Sequence, residues 1–222
     1  MWSILLIWYM VINLLFIKAG DVTMDITNKR KMEHDIDSIY LQRWSPRAFS
    51  TKPVEREKLN AILEAARWAP SAANLQPWRF VIVEKNEDKE RFLSFVNENN
   101  VAWCQHAPIL AAIISKTIRN EEGAPNTTHA FDTGTAWGYL TLEAARQGLI
   151  THGMGGFDRK KAKEILQIPD EYDVQAITAI GYHDPNAELL PEKFKEREVP
   201  SNRIMIEDFV FEGKFNEKYD IK

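Results

Sequence analysis

The chain is expected to fold as α+β, an α/β mixed sheet flanked by helices, in one domain. Three observations lead there. Short β-branched or apolar runs (residues 79–84, 109–114 and 174–182) alternate with longer segments of helical periodicity. The 222 residues are 45% hydrophobic and 27% charged, the mixture of a globular domain able to bury a sizeable core. No internal repeat or linker divides the chain, so residues 24–222 read as a single unit.

Residues 2–17 (WSILLIWYMVINLLFI) stand apart because they carry no charge. As a helix they would span about 24 Å, short of the roughly 30 Å hydrocarbon core of a bilayer. No basic region precedes them, as a signal peptide would require. Residues 1–23 therefore read as an anchor, an atypical signal, or an over-extended start with Met24 as the true first residue.

Beyond them, residues 36–43 form a short helix, which Pro46 stops by biasing Ser45 toward extended geometry. Pro53 fits the first turn of the next helix. There Leu59, Ile62, Leu63 and Ala66 recur on one face, with Glu57, Lys58, Asn60 and Glu64 off it. A polar loop leads through Pro77 into the strand at 79–84, and a charged helix is expected over 87–97. The wholly apolar run after Pro108 suits a buried strand. Residues 129–147 make the longest helix, closed by Gly148. On it Gly134, Gly138, Thr141 and Ala145 form a small-residue stripe that another helix or backbone could approach closely. Asp158 is placed to cap a helix at 159–166, and the strand at 174–182 follows.

Composition and motifs exclude several classes. Twenty-eight Lys and Arg against 32 Asp and Glu give −4, with no basic surplus for nucleic acid. The single cysteine, Cys104, precludes a disulfide framework or a Cys-rich zinc site, points to a reducing, cytoplasmic compartment, and reads as a buried small hydrophobe. There is no G-x-x-x-x-G-K-[ST], G-x-S-x-G or H-E-x-x-H, and the five histidines lack ligand spacing. No metal is expected.

Three stretches carry potential chemistry. Arg43, Ser45 and Arg47 alternate, so an extended backbone would point all three the same way, as an anion clamp or as a solvated turn. Residues 70–78 (PSAANLQPW) set hydroxyl and amide groups between two prolines, as a reader of ring or sugar edges or as a connecting loop. Residues 153–158 (GMGGFD) admit close backbone approach to a flat ligand, or form a simple turn.

Together and in this order, R-W-S-P-R-A-F, A-P-S-A-A-N-L-Q-P-W-R-F and H-G-M-G-G-F-D resemble the nitroreductase family of FMN-dependent oxidoreductases. The resemblance spans residues 36–215, and R-I-M-I-E-D-F-V at 203–210 adds to it. It implies a nitroreductase-like FMN-binding fold and a domain-interlocked homodimer with a flavin at each subunit interface. By the same resemblance Arg43, Ser45 and Arg47 hold the FMN phosphate and ribityl chain, with Arg203 joining the phosphate. Pro70, Ser71, Ala72 and Asn74 come from the second subunit, Met154, Gly155 and Gly156 lie along the isoalloxazine, and Asn100 sits over its pyrimidine edge. Family members with an acidic side chain at the Gly155 position have no counterpart here, which implies a more open substrate face.

The implied activity is ping-pong hydride transfer from NADPH or NADH to nitroaromatic, quinone or related electrophilic acceptors, with no catalytic acid or base assigned. Enal or enone reduction on the same fold, and a flavin-binding sensor or carrier without significant turnover, are the alternatives.

Overall fold

The computed structural model describes residues 30–220. The apolar segment 2–17, with the three readings of residues 1–23, lies outside the described residues. In chain order the elements are α1 (Ile39–Gln42), α2 (Arg56–Arg67), β1 (Trp78–Val83), α3 (Asn86–Leu93), α4 (Glu98–Cys104), β2 (Ile109–Lys116), α5 (His129–Arg146), β3 (Ile150–Met154), α6 (Arg159–Ile165), β4 (Tyr172–Gly181) and α7 (Glu192–Lys195). Single 3-10 turns lie at Ala72–Asn74 and Ile206–Asp208.

The class is α+β, but the sheet is not mixed. Its order is β1-β2-β4-β3, and all three ladders are antiparallel. β2 and β3 do run the same way, as a crossover through α5 produces. However, β4 inserts between them and pairs antiparallel with both. Strand–helix alternation reports that crossover and cannot report the insertion.

Both faces of the sheet are covered. On one, Leu59, Ile62 and Ala66 of α2 pack with Ala136, Leu140 and Ala144 of α5 against Trp78, Ile109 and Ile180. On the other, Phe92, Trp103, Cys104, Ala162 and Phe194 meet Leu110, Ala112, Ile114 and Ile177. Residues 109–115 are therefore buried without alternation, as a strand sandwiched between two helical layers must be. Cys104 is buried as expected, and burial pushes its thiol up to about 12.

Several boundaries differ from expectation. α1 is four residues, shorter than the 36–43 span. α2 begins at Arg56, with Glu55 extended as its N-cap, so Pro53 precedes the helix. The charged helix stops at Leu93 because residues 95–97 turn to bond with the glycine turn. Asp158 N–H donates to Phe95 O (2.8 Å) and Asn97 N–H to Gly156 O (3.0 Å). Asn97 then caps the separate helix α4, accepting from Asn99 N–H at 2.9 Å. β3 was not expected: I-T-H-G-M is short and holds a glycine, and it becomes a strand by pairing with β4 along the sheet edge. α5 ends at Arg146. Gly148 closes it with φ +73°, as Gly148 N–H donates to Ala145 O and Leu149 N–H to Ala144 O.

Candidate active site

The Arg-x-Ser-x-Arg stretch is extended as its spacing predicts. Trp44, Pro46 and Ala48 are buried, while Arg43, Ser45 and Arg47 between them are only partly covered and lie on the other side. The backbone is fixed from far along the chain. Both Glu198 carboxylate oxygens accept from Arg47 N–H (2.9 Å each), and Oε1 also accepts from Ala48 N–H (2.8 Å). Burial works to raise the Glu198 pKa, but His183 and those two N–H groups outweigh it and hold the carboxyl below its usual range. His183 Nε2 stands 3.6 Å from Glu198 Oε1. His152 of β3 donates from Nδ1 to Pro46 O at 2.9 Å, tying the stretch to the strand that ends in the glycine turn. Burial, helped by the Arg47 charge, lowers the His152 pKa and favours its neutral form.

Around this stretch the residues form a connected half-ring. Arg43 Nη1 reaches Ser45 Oγ at 3.4 Å. Arg203, on the C-terminal segment, lies close enough to depress the Arg43 pKa, after burial itself. Among the described residues neither arginine is paired with a carboxylate, so within them the two cations lie near one another without an acidic partner. The Arg47 guanidinium lies 5.8 Å from the centre of the Trp103 ring and 6.0 Å from that of Phe194. The Trp103 ring in turn lies 4.4 Å from that of His152.

One helical turn before Trp103, Asn100 donates from Nδ2 to Gly156 O at 3.3 Å. Gly155 and Gly156 are exposed, and Met154 before them is buried. A side chain at Gly156 would start 2.9 Å from Asn100 Nδ2 and 3.5 Å from Asn97 Cβ, so it would displace the Asn100 amide that holds Gly156 O. Asp158 caps α6 as expected, accepting from Lys161 N–H at 3.0 Å. An open hollow of about 510 Å³ runs along residues 94–97 and 155–158.

The other expected site residues are elsewhere. Pro70, Ser71, Ala72 and Asn74 precede β1, whereas the glycine turn follows β3, and these are the two outer strands. Three strand spacings, about 14 Å, separate them across the sheet. Among the described residues, none of this loop's hydrogen bonds reaches Arg43, Arg47 or the glycine turn. Among the described residues, the one tie of residues 70–76 beyond residue 79 is Ala72 N–H to Oδ2 of buried Asp132, at 3.1 Å. Ala73, Asn74 and Gln76 all hold left-handed backbone (φ +48°, +54° and +48°).

Two parts of the arrangement gave no sequence signal. Glu198 is 151 positions from the N–H it holds. Arg30, whose guanidinium reaches Leu41 O, Arg43 O and Ser201 O, sits in a basic run that reads as solvated surface.

The nitroreductase family model matches residues 40–102 and 93–182, more than half the chain. An NADH dehydrogenase of Thermus thermophilus is 31% identical over 205 residues, covering 79% of this chain and 95% of that one. A crystal structure described as an oxidoreductase containing FMN superposes with a TM-score of 0.81 at 44% identity, covering 88% of this chain and all of the other. An FMN-dependent nitroreductase of Clostridium difficile gives a TM-score of 0.56 at 26% identity, over 73% and 96%. With the arginine stretch, the glycine turn and the order of elements all in place, the chain belongs to the nitroreductase family.

Proposed function

We propose that the chain is an FMN-dependent oxidoreductase that draws hydride from NADPH or NADH and reduces nitroaromatic, quinone or related electrophilic acceptors. The observation that carries this reading is the pair Arg43 and Arg203 beside Ser45, without an acidic partner among the described residues, at one end of the half-ring that closes on Gly155 and Gly156. A phosphomonoester fits the first end, since it supplies the anion two neighbouring guanidiniums lack. A flat ring fits the second. There the carbonyls of Gly155 and Gly156 are committed to Phe157 N–H, Asn97 N–H and Asn100, so what the exposed turn offers is its N–H edge.

In this assignment Arg43, Ser45, Arg47 and Arg203 hold the phosphate and ribityl chain, and Met154, Gly155 and Gly156 lie along the isoalloxazine. Asn100 acts on the ring through the turn it braces. FMN, once bound, supplies the hydride relay between nicotinamide and acceptor. The chain's own work is to orient the ring, to hold positive charge at the phosphate, and to present N–H donors where the reduced ring is anionic. Nicotinamide and acceptor occupy the same face in turn, which gives ping-pong kinetics.

The working unit is a homodimer. The partner subunit's Pro70, Ser71, Ala72 and Asn74 close the site that one protomer leaves open, since its own loop stands at the far sheet edge. The α5 surface supports this. Among the described residues no atom lies within 4 Å of where a side chain at Gly134 or Gly138 would begin, and Phe131 (78% exposed) shares that face. The buried lone cysteine suits a cytoplasmic setting, and no helix among the described residues is long and apolar enough to cross a membrane.

A visible absorption spectrum of the purified protein, before and after anaerobic NADPH or NADH, tests the reading. Flavin bands that bleach and return on adding a quinone or nitroaromatic are expected. A colourless protein that FMN cannot reconstitute would contradict it.

A further inference from the structure

The C-terminal segment that carries Arg203 has little of its own to hold it. Residues 201–205 are exposed, and the backbone hydrogen bonds over 205–217 are local. Arg203 itself is folded back on Ser201 and Asn202, with Nη1 at 3.2 Å from Ser201 Oγ and 3.0 Å from Asn202 O. Among the described residues, two hydrogen bonds join residues 199–210 to the rest of the protein. Arg30 Nε donates to Ser201 O (3.0 Å), and Ile206 N–H donates to Glu33 Oε2 (3.3 Å). Both partners belong to the lead-in before α1.

The same Arg30 turns its other edge to the arginine stretch, where Nη1 donates to Leu41 O (2.6 Å) and Arg43 O (2.9 Å). One guanidinium therefore bridges the backbone on either side of the Arg43–Arg203 pair. The planar fork of arginine reaches three carbonyls from two directions, which a single ammonium cannot reproduce.

We propose that Arg30 is a positioning residue for the phosphate end of the site: it clips the Arg203 segment to the Arg43 backbone and so assembles a three-arginine receptor for a phosphomonoester. The inference rests on the FMN reading above. Its electrostatics agree with the geometry, since Arg203 and Arg43 both act to lower the Arg30 pKa, after burial. No carboxylate of the described residues pairs with Arg30.

The test compares Arg30→Gln, Arg30→Lys, Arg203→Ala and the double variant Arg30→Gln/Arg203→Ala in the full-length chain freed of flavin. Hydrogen exchange of residues 199–210 is read first, without any ligand. Faster exchange in Arg30→Gln and Arg30→Lys than in wild type is expected, and unchanged exchange would overturn the clip whatever the ligand. FMN and riboflavin are then titrated by flavin fluorescence. Arg30→Gln should lose about tenfold or more in FMN affinity, the size of one charge-assisted contact, with riboflavin affinity unmoved.

Adding Arg203→Ala to Arg30→Gln should cost little more, because the unclipped Arg203 has already left the site. Full additivity of the two losses, or recovery of wild-type affinity by Arg30→Lys, would show simple charge and overturn the positioning role. If the wild-type protein binds neither flavin, the functional reading fails instead, and the exchange experiment still decides the clip.

Discussion

The arginine stretch at 43–47 and the loop at 71–76 are built in opposite ways. The first is plain extended backbone, held by groups distant in the sequence: Glu198 on two N–H groups, His152 on Pro46 O and Arg30 on Arg43 O. The second is held mostly by itself. Asn74 N–H donates to Ser71 O, Gln76 N–H to Ser71 Oγ and the Gln76 amide to Asn74. Three of its residues are left-handed, and Asp132 anchors it from outside. The arginine stretch is thus fixed by groups from across its own protomer, while the loop carries backbone strain at an exposed position. Strain of this kind persists where something outside the loop uses the shape it gives.

Breaking the long-range support of the arginine stretch should have the largest effect. Glu198→Ala leaves two backbone N–H groups without their acceptor, and His183 without its neighbouring carboxylate, in a site where the side chain is 9% exposed. A loss of about 3 kcal/mol is expected, read as a fall in denaturant midpoint. The pH dependence follows from the depressed pKa of this carboxyl. Its stabilisation is complete above the unfolded carboxylate range and is lost as pH falls through the lower folded value. Wild type should therefore weaken below about pH 5 more steeply than Glu198→Gln, which has no proton to take up there. Equal acid slopes would remove Glu198 from the account.

Next comes the glycine turn. Gly156→Val drives a side chain into Asn100 and Asn97, which should cost about 1–3 kcal/mol of stability and abolish flavin retention. Normal flavin content in the purified variant would show that the turn does not shape the site. Arg43→Ala should leave the fold intact and weaken FMN binding by roughly 1.5–3 kcal/mol, measured by titration of the flavin-free protein. The smallest change sharpens the contrast from the other side. Ala73→Gly relieves a left-handed alanine and should raise stability by about 1 kcal/mol in thermal melts, with no comparable gain from glycine at Ser45.

The same contrast explains what the sequence made legible. Two-residue alternation about Pro46 disclosed the orientation of Arg43, Ser45 and Arg47, because an extended strand obeys that period wherever it lies. Likewise Gly148 marked the end of α5 and Asp158 the start of α6, since caps are local chemistry. Features set by distant partners were not legible. Nothing in I-T-H-G-M announces a strand, and β3 exists because β4 offers it an edge. The break between α3 and α4 comes from the bonds of Phe95 and Asn97 to the glycine turn some sixty residues on. Arg30 and Glu198 carry ordinary surface residue types, and only the fold brings them to the arginine stretch.

The central claim is that the site is shared, with the arginines and the glycine turn from one subunit and the loop from the other. Subunit exchange tests it most directly. Arg43→Ala disables the first half, and Ala72→Trp, at an exposed position, blocks the second without burying a new side chain in its own protomer. Each variant alone should retain much less FMN than wild type. After the two are mixed and allowed to exchange, hybrid dimers hold one intact site each, so FMN should return at about a quarter of all sites. No recovery in hybrids shown to have formed would mean that each protomer builds its site alone.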